Sequence, residues 1–469
     1  MSCTENYADA GKHGCEDDDD GDDEEDGRDP VGSATAAMAA PAMAAANSDQ
    51  NAMWALDVAY LSLFSVVGLT LRAYMGRFFG GDCETAYAAG GAHVDDFLWP
   101  VSHLVCVTST GGTSQHGGAL FVDLPANVLG CLIMGYFAPA TTTGGGGGGP
   151  RDRDDDLSSS DSHAMPCLPR DHPWQMEGSL HLGIRTGLCG SLTTFSSWNT
   201  QMVQMMDGTA NPILGSQIPA ALFGYVLGLQ TSLASYRAGR VLGACCSHAN
   251  RGRRNNPHVF DDAPPPPNRS SRRDNNNTTT RPSPSPSPTS KCHNQRRHHL
   301  HWVTPAVLSI VVGTLIGLYV AGDAYWHVVP YYRELWIGSL FAPFGTLCRW
   351  KLGTMNGKFG VRGGGERWFP CGTFLANFLG CAISAAFTAW VIARSEDEGA
   401  QQWEIPILNA MILGIAGCLS TVSTFAKECV ELGDRYPPYD GKQFLYSHGT
   451  MLGCCLIGLL VYIPIVRFT

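Results

Sequence analysis

The 469-residue chain is poor in charge: Asp, Glu, Lys and Arg together make up 16% of it. The charges it has are gathered in a few polar tracts, which leaves long apolar stretches almost bare of them. A basic stripe is missing and the formal net charge is −11, which argues against a nucleic-acid surface. No glycine-rich loop ends in Gly-Lys-Ser/Thr, so nucleotide-driven transport has no motif to rest on. The 17 cysteines contain no Cys-x-x-Cys pair and no regular spacing, so neither a zinc site nor a disulfide framework is indicated. Those inside apolar runs, such as Cys131, Cys189, Cys381 and Cys418, read as small apolar residues. No nucleophile–base pair is visible, so the chain is not read as an enzyme. The first residues have no basic n-region and no apolar h-region, so they do not read as a secretory signal.

What is present is a series of apolar runs of about twenty residues, the length that crosses a bilayer core of roughly 30 Å. Nine are read as spans: 54–75, 117–138, 178–206, 212–236, 302–322, 331–353, 370–393, 405–432 and 444–467. Nine such runs argue against a large soluble helical protein. Polar tracts separate them. Residues 1–53 hold "EDDDDGDDEEDGRD" and then an Ala-rich stretch, and are expected to be disordered. Residues 76–116 form a Gly-rich loop, 140–177 a flexible insert with "TTTGGGGGGP", and 237–301 a basic Pro/Ser-rich linker. The tract "KCHNQRRHHLH" in that linker reads as a basic flank beside a membrane surface rather than a metal site. The sequons starting at Asn268, Asn276 and Asn277 fall in the same linker, on its expected cytoplasmic side, so no glycan is expected there.

An internal repeat orders the spans. "GLTLRAYMG" and "GTLCRWKLG" each place an arginine four residues after a glycine, Gly68/Arg72 and Gly345/Arg349. "ANVLGC" at 126–131 matches "ANFLGC" at 376–381. "GLCGSLTTFSSW" at 187–198 matches "GIAGCLSTVSTF" at 414–425. The order is the same in both halves, giving a four-span unit at 54–236, a linking span at 302–322 and a second unit at 331–469. Four spans return a chain to its starting side, so a fifth inverts the second unit. Lys and Arg fall mostly in segments that this topology puts inside, such as Arg251, Arg253, Lys351, Arg362 and Lys442. A cytoplasmic N-terminus and an inverted pair satisfy the positive-inside rule. Such pairs commonly build a transport path at the repeat interface.

The repeated dozen suits lipid poorly. Its glycines weaken the helix, and unpaired carbonyls at membrane depth are tolerated only where they face protein, a cavity or an ion. Ser191, Thr193, Thr194, Ser196 and Ser197 add hydroxyls, and Phe195 and Trp198 lie three apart. One copy reads as a small-residue packing surface; two copies point to a site on the two-fold axis. Asn127 and Asn377 read either as helix glue or as pore lining, since an amide offers two N–H donors to an anion. Arg72 and Arg349 lie near span ends, where snorkelling to the interface is the plainer role.

These motifs together resemble the fluoride channel family, CrcB or Fluc in bacteria and FEX exporters in eukaryotes. The resemblance runs over all nine spans. It implies two four-helix units, an antiparallel dimer in bacteria and a fused pair joined by an extra helix here, acting as a monomer. It implies passive fluoride export across the plasma membrane, with fluoride and the lipid bilayer as the only partners and no nucleic acid. It also implies a central structural Na⁺ held by backbone carbonyls at Gly190, Thr193, Gly417 and Ser420. Asn127 and Asn377 match the pore asparagine. Thr194, Thr421, Ser196 and Ser423 are the hydroxyls beside it, and Arg72 and Arg349 are structural. The family's Phe-x-x-Phe falls on Phe195/Trp198 and Val422/Phe425. With one ring taken from each half, Phe195 and Phe425 complete one path, and Val422 with Trp198 leaves a degenerate one. The competing expectation is a proton-coupled transporter of another small ion or drug, which needs a mid-membrane carboxylate. Asp123, Glu428 and Glu431 are the candidates, and no central carboxylate recurs in both halves.

Overall fold

The computed structural model describes residues 31–80, 120–138, 165–168, 172–209, 215–254, 330–358 and 367–468, with 306, 307, 309–311, 313, 314 and 317. It is all-α: helices and turns, with no strand among the described residues. In chain order the helices are α1 (Val31–Gly80), α2 (Leu124–Tyr136) and α3 (Gly178–Leu182). A π-helical segment (Gly183–Cys189) leads from α3 into α4 (Gly190–Leu192), followed by α5 (Phe195–Asp207) and α6 (Ile218–Arg254). The second half runs α7 (Pro330–Gly353), α8 (Cys371–Ala393), α9 (Glu398–Gln402) and α10 (Glu404–Met411). A second π-helical segment (Ile412–Ala416) then enters α11 (Gly417–Leu419), before α12 (Ser423–Arg435) and α13 (Lys442–Phe468).

Five helical stretches among the described residues are long and apolar enough to cross a membrane: Gln50–Gly76, Ile218–Ala249, Cys371–Ala393, Glu404–Arg435 and Lys442–Phe468. The chain is therefore a multi-pass membrane protein. The run at 178–206 is not one helix, because Thr193 and Thr194 are extended. The linking span is described only in part; its Val307 and Val311, one helical turn apart, pack on Leu56 and Ala59 of α1. The acidic run of the N-terminal tail, most of the loop at 76–116, much of the insert at 140–177, and the sequons and basic flank of the linker lie outside the described residues.

Two expected boundaries shift. The Ala-rich tract expected to be disordered is helical from Val31, and α6 continues to Arg254 where a disordered linker was expected from 237. Alanine has the highest helix propensity, and after 236 no proline occurs until 257. Residues 31–51 group apart from 52–469, and the account below concerns the latter. Within it α2 packs along α6 and α8 along α13, while α12 touches both α2 and α6.

Candidate functional site

Each repeated dozen breaks its helix at the same place. After α4 the chain takes two extended residues, Thr193 (φ −96°, ψ 143°) and Thr194 (φ −137°, ψ 128°), before α5 begins. After α11, Ser420 is extended in the same way (φ −80°, ψ 154°). A break inside a membrane exposes backbone groups that lipid cannot satisfy. The asparagines meet that need. Thr194 N–H donates to Asn127 Oδ1 at 2.8 Å and Asn127 Nδ2 donates to Thr194 O at 3.1 Å. Thr421 N–H donates to Asn377 Oδ1 at 2.7 Å and Asn377 Nδ2 to Thr421 O at 3.2 Å. Each amide thus clamps one residue of its break from both sides, and one Nδ2 hydrogen remains on each.

The helices after the breaks are capped across the halves. Ser420 Oγ accepts from the Ser196 N–H at 3.0 Å, at the start of α5. Thr193 Oγ1 accepts from the N–H groups of Val422 (3.2 Å) and Ser423 (3.1 Å), at the start of α12. Ser196 Oγ reaches Ala416 O at 3.2 Å and Ser423 Oγ reaches Cys189 O at 3.1 Å, which are matched carbonyls of the two π-helical segments. Thr194 Oγ1 lies 3.3 Å from Ser420 Oγ, and Thr193 Oγ1 lies 3.2 Å from Thr421 Oγ1. All these hydroxyls are buried. Each half caps the other, residue for matched residue, and α5 is also capped within its own half by Thr194 Oγ1, which accepts from Ser197 N–H at 3.4 Å.

The arginines do not snorkel. Arg72 is 2% exposed and Arg349 5%, and each turns into the opposite half. Arg72 donates to Gly417 O at 2.9 Å and Leu413 O at 2.5 Å. Arg349 donates to the matched Gly190 O at 2.8 Å and Thr186 O at 2.6 Å, to Ser420 O at 3.3 Å, and to Cys418 O. The π-helical turns leave carbonyls without their usual intrahelical partner, and a guanidinium is a fork of N–H donors that can take several at once. Glycine is required at 190 and 417, because an added Cβ would overlap the guanidinium of Arg349 or Arg72. Gly68 and Gly345 bring α1 and α7 against their own half's break; a Cβ would stand 2.6 Å from Leu188 O or Ile415 O.

These contacts bear on the Na⁺ expected at Gly190, Thr193, Gly417 and Ser420. Backbone carbonyls are hard oxygen donors of the kind an alkali cation takes. Three of the four already accept from arginine. A carbonyl has two lone pairs, so an ion can still be ligated beside an N–H. The donor chemistry fits a small cation, and two neighbouring guanidiniums are like charges it must overcome.

The aromatic residues separate the halves. Phe195 and Phe425 are wholly buried and meet edge to face, with centroids 5.5 Å apart and planes at 85°. Phe425 also lies 5.5 Å from Tyr446, whose hydroxyl donates to Glu428 Oε2 at 2.5 Å. Glu428 Oε1 takes Thr373 Oγ1 at 2.6 Å and Asn356 Nδ2 at 2.8 Å. The sequence does not single out Tyr446, Thr373 and Asn356, which lie far apart along the chain. In the other half the position matched to Glu428 is Gln201, whose amide accepts from Val122 N–H at 3.2 Å. Trp198 stacks on Phe121 at 5.3 Å and touches Phe195 at 5.1 Å and Tyr225 at 5.7 Å. Val422 is buried in the same apolar cluster.

The profile of the family described as "CrcB-like protein, Camphor Resistance (CrcB)" matches residues 59–234 and 336–463. The chain is 31% identical over 163 residues to the protein named Fluoride export protein 1 of Candida albicans, covering 33% of this chain and 35% of that one. It is 26% identical over 279 residues to Fluoride export protein 2 of Saccharomyces cerevisiae, covering 54% of this chain and 68% of that one. It is 31% identical over 125 residues to the Fluoride-specific ion channel FluC of Pasteurella multocida, covering 25% of this chain and 82% of that one. No solved structure gives a significant match.

Proposed function

The chain belongs to the CrcB-like family, and from that premise we propose that it is a passive fluoride channel that exports fluoride from the cytoplasm. The observation that carries the reading is the pair of matched helix breaks, capped across the halves, beside the edge-to-face pair of Phe195 and Phe425. A bare anion in a membrane interior costs tens of kcal/mol by the Born argument unless its water is replaced. Hydroxyls of Thr194 and Thr421 and the remaining amide hydrogen of each asparagine supply donors, while Ser196 and Ser423, whose hydroxyls donate to Ala416 O and Cys189 O, must turn to add theirs. The ring edges of Phe195 and Phe425 present the positive part of the aromatic quadrupole.

The path is one per molecule, with Val422 and Trp198 closing the matched one. Nine spans, a cytoplasmic N-terminus, an external C-terminus and an inverted second half follow from the repeat order and the Lys/Arg placement. The protein acts as a monomeric fused pair in the plasma membrane. A cytoplasm negative inside drives fluoride outward with about 2.3 kcal/mol per charge per 100 mV, so no fuel is required. Na⁺ would be held by the carbonyls of Gly190, Thr193, Gly417 and Ser420, adding fixed positive charge where the halves cross. Exchange of Na⁺ for N-methylglucamine should then lower the unfolding temperature of the purified protein; an unchanged temperature removes the ion from the reading.

Proton-coupled transport is disfavoured. Its carboxylate would be Glu428, which is engaged by Thr373, Asn356 and Tyr446 and is matched by Gln201. The test is fluoride efflux from liposomes bearing the purified chain. Efflux driven by a K⁺ diffusion potential and indifferent to a pH gradient is expected. Efflux that requires a pH gradient would replace the channel with a coupled carrier.

A further inference from the structure

We propose that the cavity between α2, α3 with its π-helical segment, and α12 is an anion antechamber at a mouth of one path, and that the matched mouth of the other path has none. This rests on the fluoride reading for the identity of the anion, though not for the chemistry of the cavity. The cavity measures about 270 Å³, and its polar lining comes from His181, Arg185, Thr186, Thr424 and Lys427, with Met134 on the apolar side. Arg185 is half-buried and has no hydrogen bond or ion pair among the described residues. An unpaired guanidinium at a partly buried position is costly unless water or an anion meets it. Lys427 is balanced in part by Glu431, one turn on at 3.6 Å, but Glu431 is half exposed and is not part of the lining. Two threonines add hydroxyl donors. The set suits a small, hard, partly hydrated anion.

The matched positions make this one-sided. Registering 187 on 414 places Arg185 on Ile412, His181 on Leu408 and Lys427 on Thr200. The mouth related to this one by the repeat therefore has no cation at any of the three. Its nearby polar pair is Asn409 donating to Glu334 at 2.9 Å, which is acidic, and Arg333 on the same helix is directed at Gln402 O and the Trp403 ring. In a protein of two identical subunits both mouths would be alike. A fused chain is free to differ, and here the scaffold contacts have stayed matched while these charges have not. On the proposed topology α3 begins and α12 ends on the cytoplasmic side, so the charged mouth faces the compartment from which the anion leaves. Fixed charge lining a low-dielectric mouth raises the local counter-ion concentration and its entry rate.

Two measurements test this, both on the full chain in phosphatidylcholine vesicles, where no anionic headgroup competes. The first is fluoride efflux by the Arg185→Gln/Lys427→Gln double variant. At fluoride well below saturation and low ionic strength it should fall about tenfold, the low end of the range electrostatic focusing gives. At saturating fluoride, or when salt shortens the Debye length to about 3 Å, the difference should close. Arg185→Lys should retain most of the wild-type rate. A loss equal at every fluoride and salt concentration would mean the residues only support the fold, and no loss would mean the anion goes elsewhere; either overturns the proposal. The second measurement does not depend on fluoride conduction. Thr424→Cys, read by mass spectrometry of its peptide, should react faster with an anionic than a cationic methanethiosulfonate of similar size. Adding Arg185→Gln should reduce that preference. If the preference stands while the wild-type chain carries no fluoride, the fluoride reading fails and the antechamber survives for another anion. If there is no preference, the antechamber fails whatever the chain carries.

Discussion

The two helix breaks share their scaffold and differ in their contents. Asn127 and Asn377 make the same two bonds to Thr194 and Thr421. Arg72 and Arg349 take the same pair of carbonyls from the opposite half. Beyond that frame the likeness stops: Phe195 is matched by Val422, Phe425 by Trp198, Glu428 by Gln201 and Arg185 by Ile412. What holds two halves together must satisfy both at once, because each half caps the other. What lines a path need serve only one path. On the proposed function the difference separates residues that support from residues that conduct, and substitutions can press on each class.

The scaffold should give the largest effect. Arg349→Ala leaves four carbonyl contacts of two helices unmet in a buried place, and Arg72→Ala leaves two. Breaking such buried charged contacts costs about 3–5 kcal/mol at the severe end. Both variants should lose monodisperse protein on size-exclusion chromatography, Arg349→Ala more completely. Full yield from both would mean that the cross-half contacts are incidental, and the comparison would lose its common frame.

The aromatic pair comes next. Phe195→Ile or Phe425→Ile should lower fluoride efflux per folded molecule about a hundredfold, a barrier change of about 2.7 kcal/mol. Each removes one ring edge from the only pair that has two. Isoleucine keeps the burial, so yield should fall much less than flux. Flux losses that merely follow the loss of yield would reduce these residues to packing.

Much of this division was legible in the sequence. The breaks, the asparagines and the unequal aromatics all lie in repeated motifs, and a repeat compares itself without any second protein. The resemblance makes the arginines structural, while their position near a span end favours snorkelling, because no local pattern names an acceptor some 340 residues away. The bonds from Arg72 to Leu413 and Gly417 exist only once the halves cross. The helical start at Val31 was read as disorder because the acidic run before it dominated the composition, although the tract itself is rich in the best helix former. The Glu428 network escaped because Asn356, Thr373 and Tyr446 come from three separate parts of the chain.

The asparagines, equal in the scaffold, should be unequal in transport. Asn127 fixes Thr194, the residue just before Phe195; Asn377 fixes Thr421, just before Val422. Alanine at either site frees one residue of the break at similar structural cost, so thermal stability should fall alike. Efflux should fall about tenfold further for Asn127→Ala than for Asn377→Ala, or about 1.4 kcal/mol of barrier. Equal effects on flux would mean that both breaks face working paths.

The smallest effect is reserved for the degenerate side. Trp198 is wholly buried, and its indole Nε1 has no hydrogen-bond partner among the described residues. Gly228 makes the room for it, since a Cβ there would overlap the indole ring. Trp198→Phe therefore removes an unsatisfied donor and leaves a ring against Phe121, with little loss of fold. Flux should stay near wild type, because the partner position still holds Val422. Val422→Phe added to Trp198→Phe would restore a phenylalanine to each matched position. Two equal paths in parallel carry at most about twice the flux of one, equivalent to about 0.4 kcal/mol. An increase toward that limit would say that the aromatic pair alone closed the second path. No increase would place the block elsewhere, and the mouth beside Ile412, which has no cation matched to Arg185 or Lys427, is where the comparison points. A fall in flux below wild type would be the informative failure. Trp198 touches Phe195, so such a fall would mean that the indole holds the conducting ring in place and that the two paths are not independent.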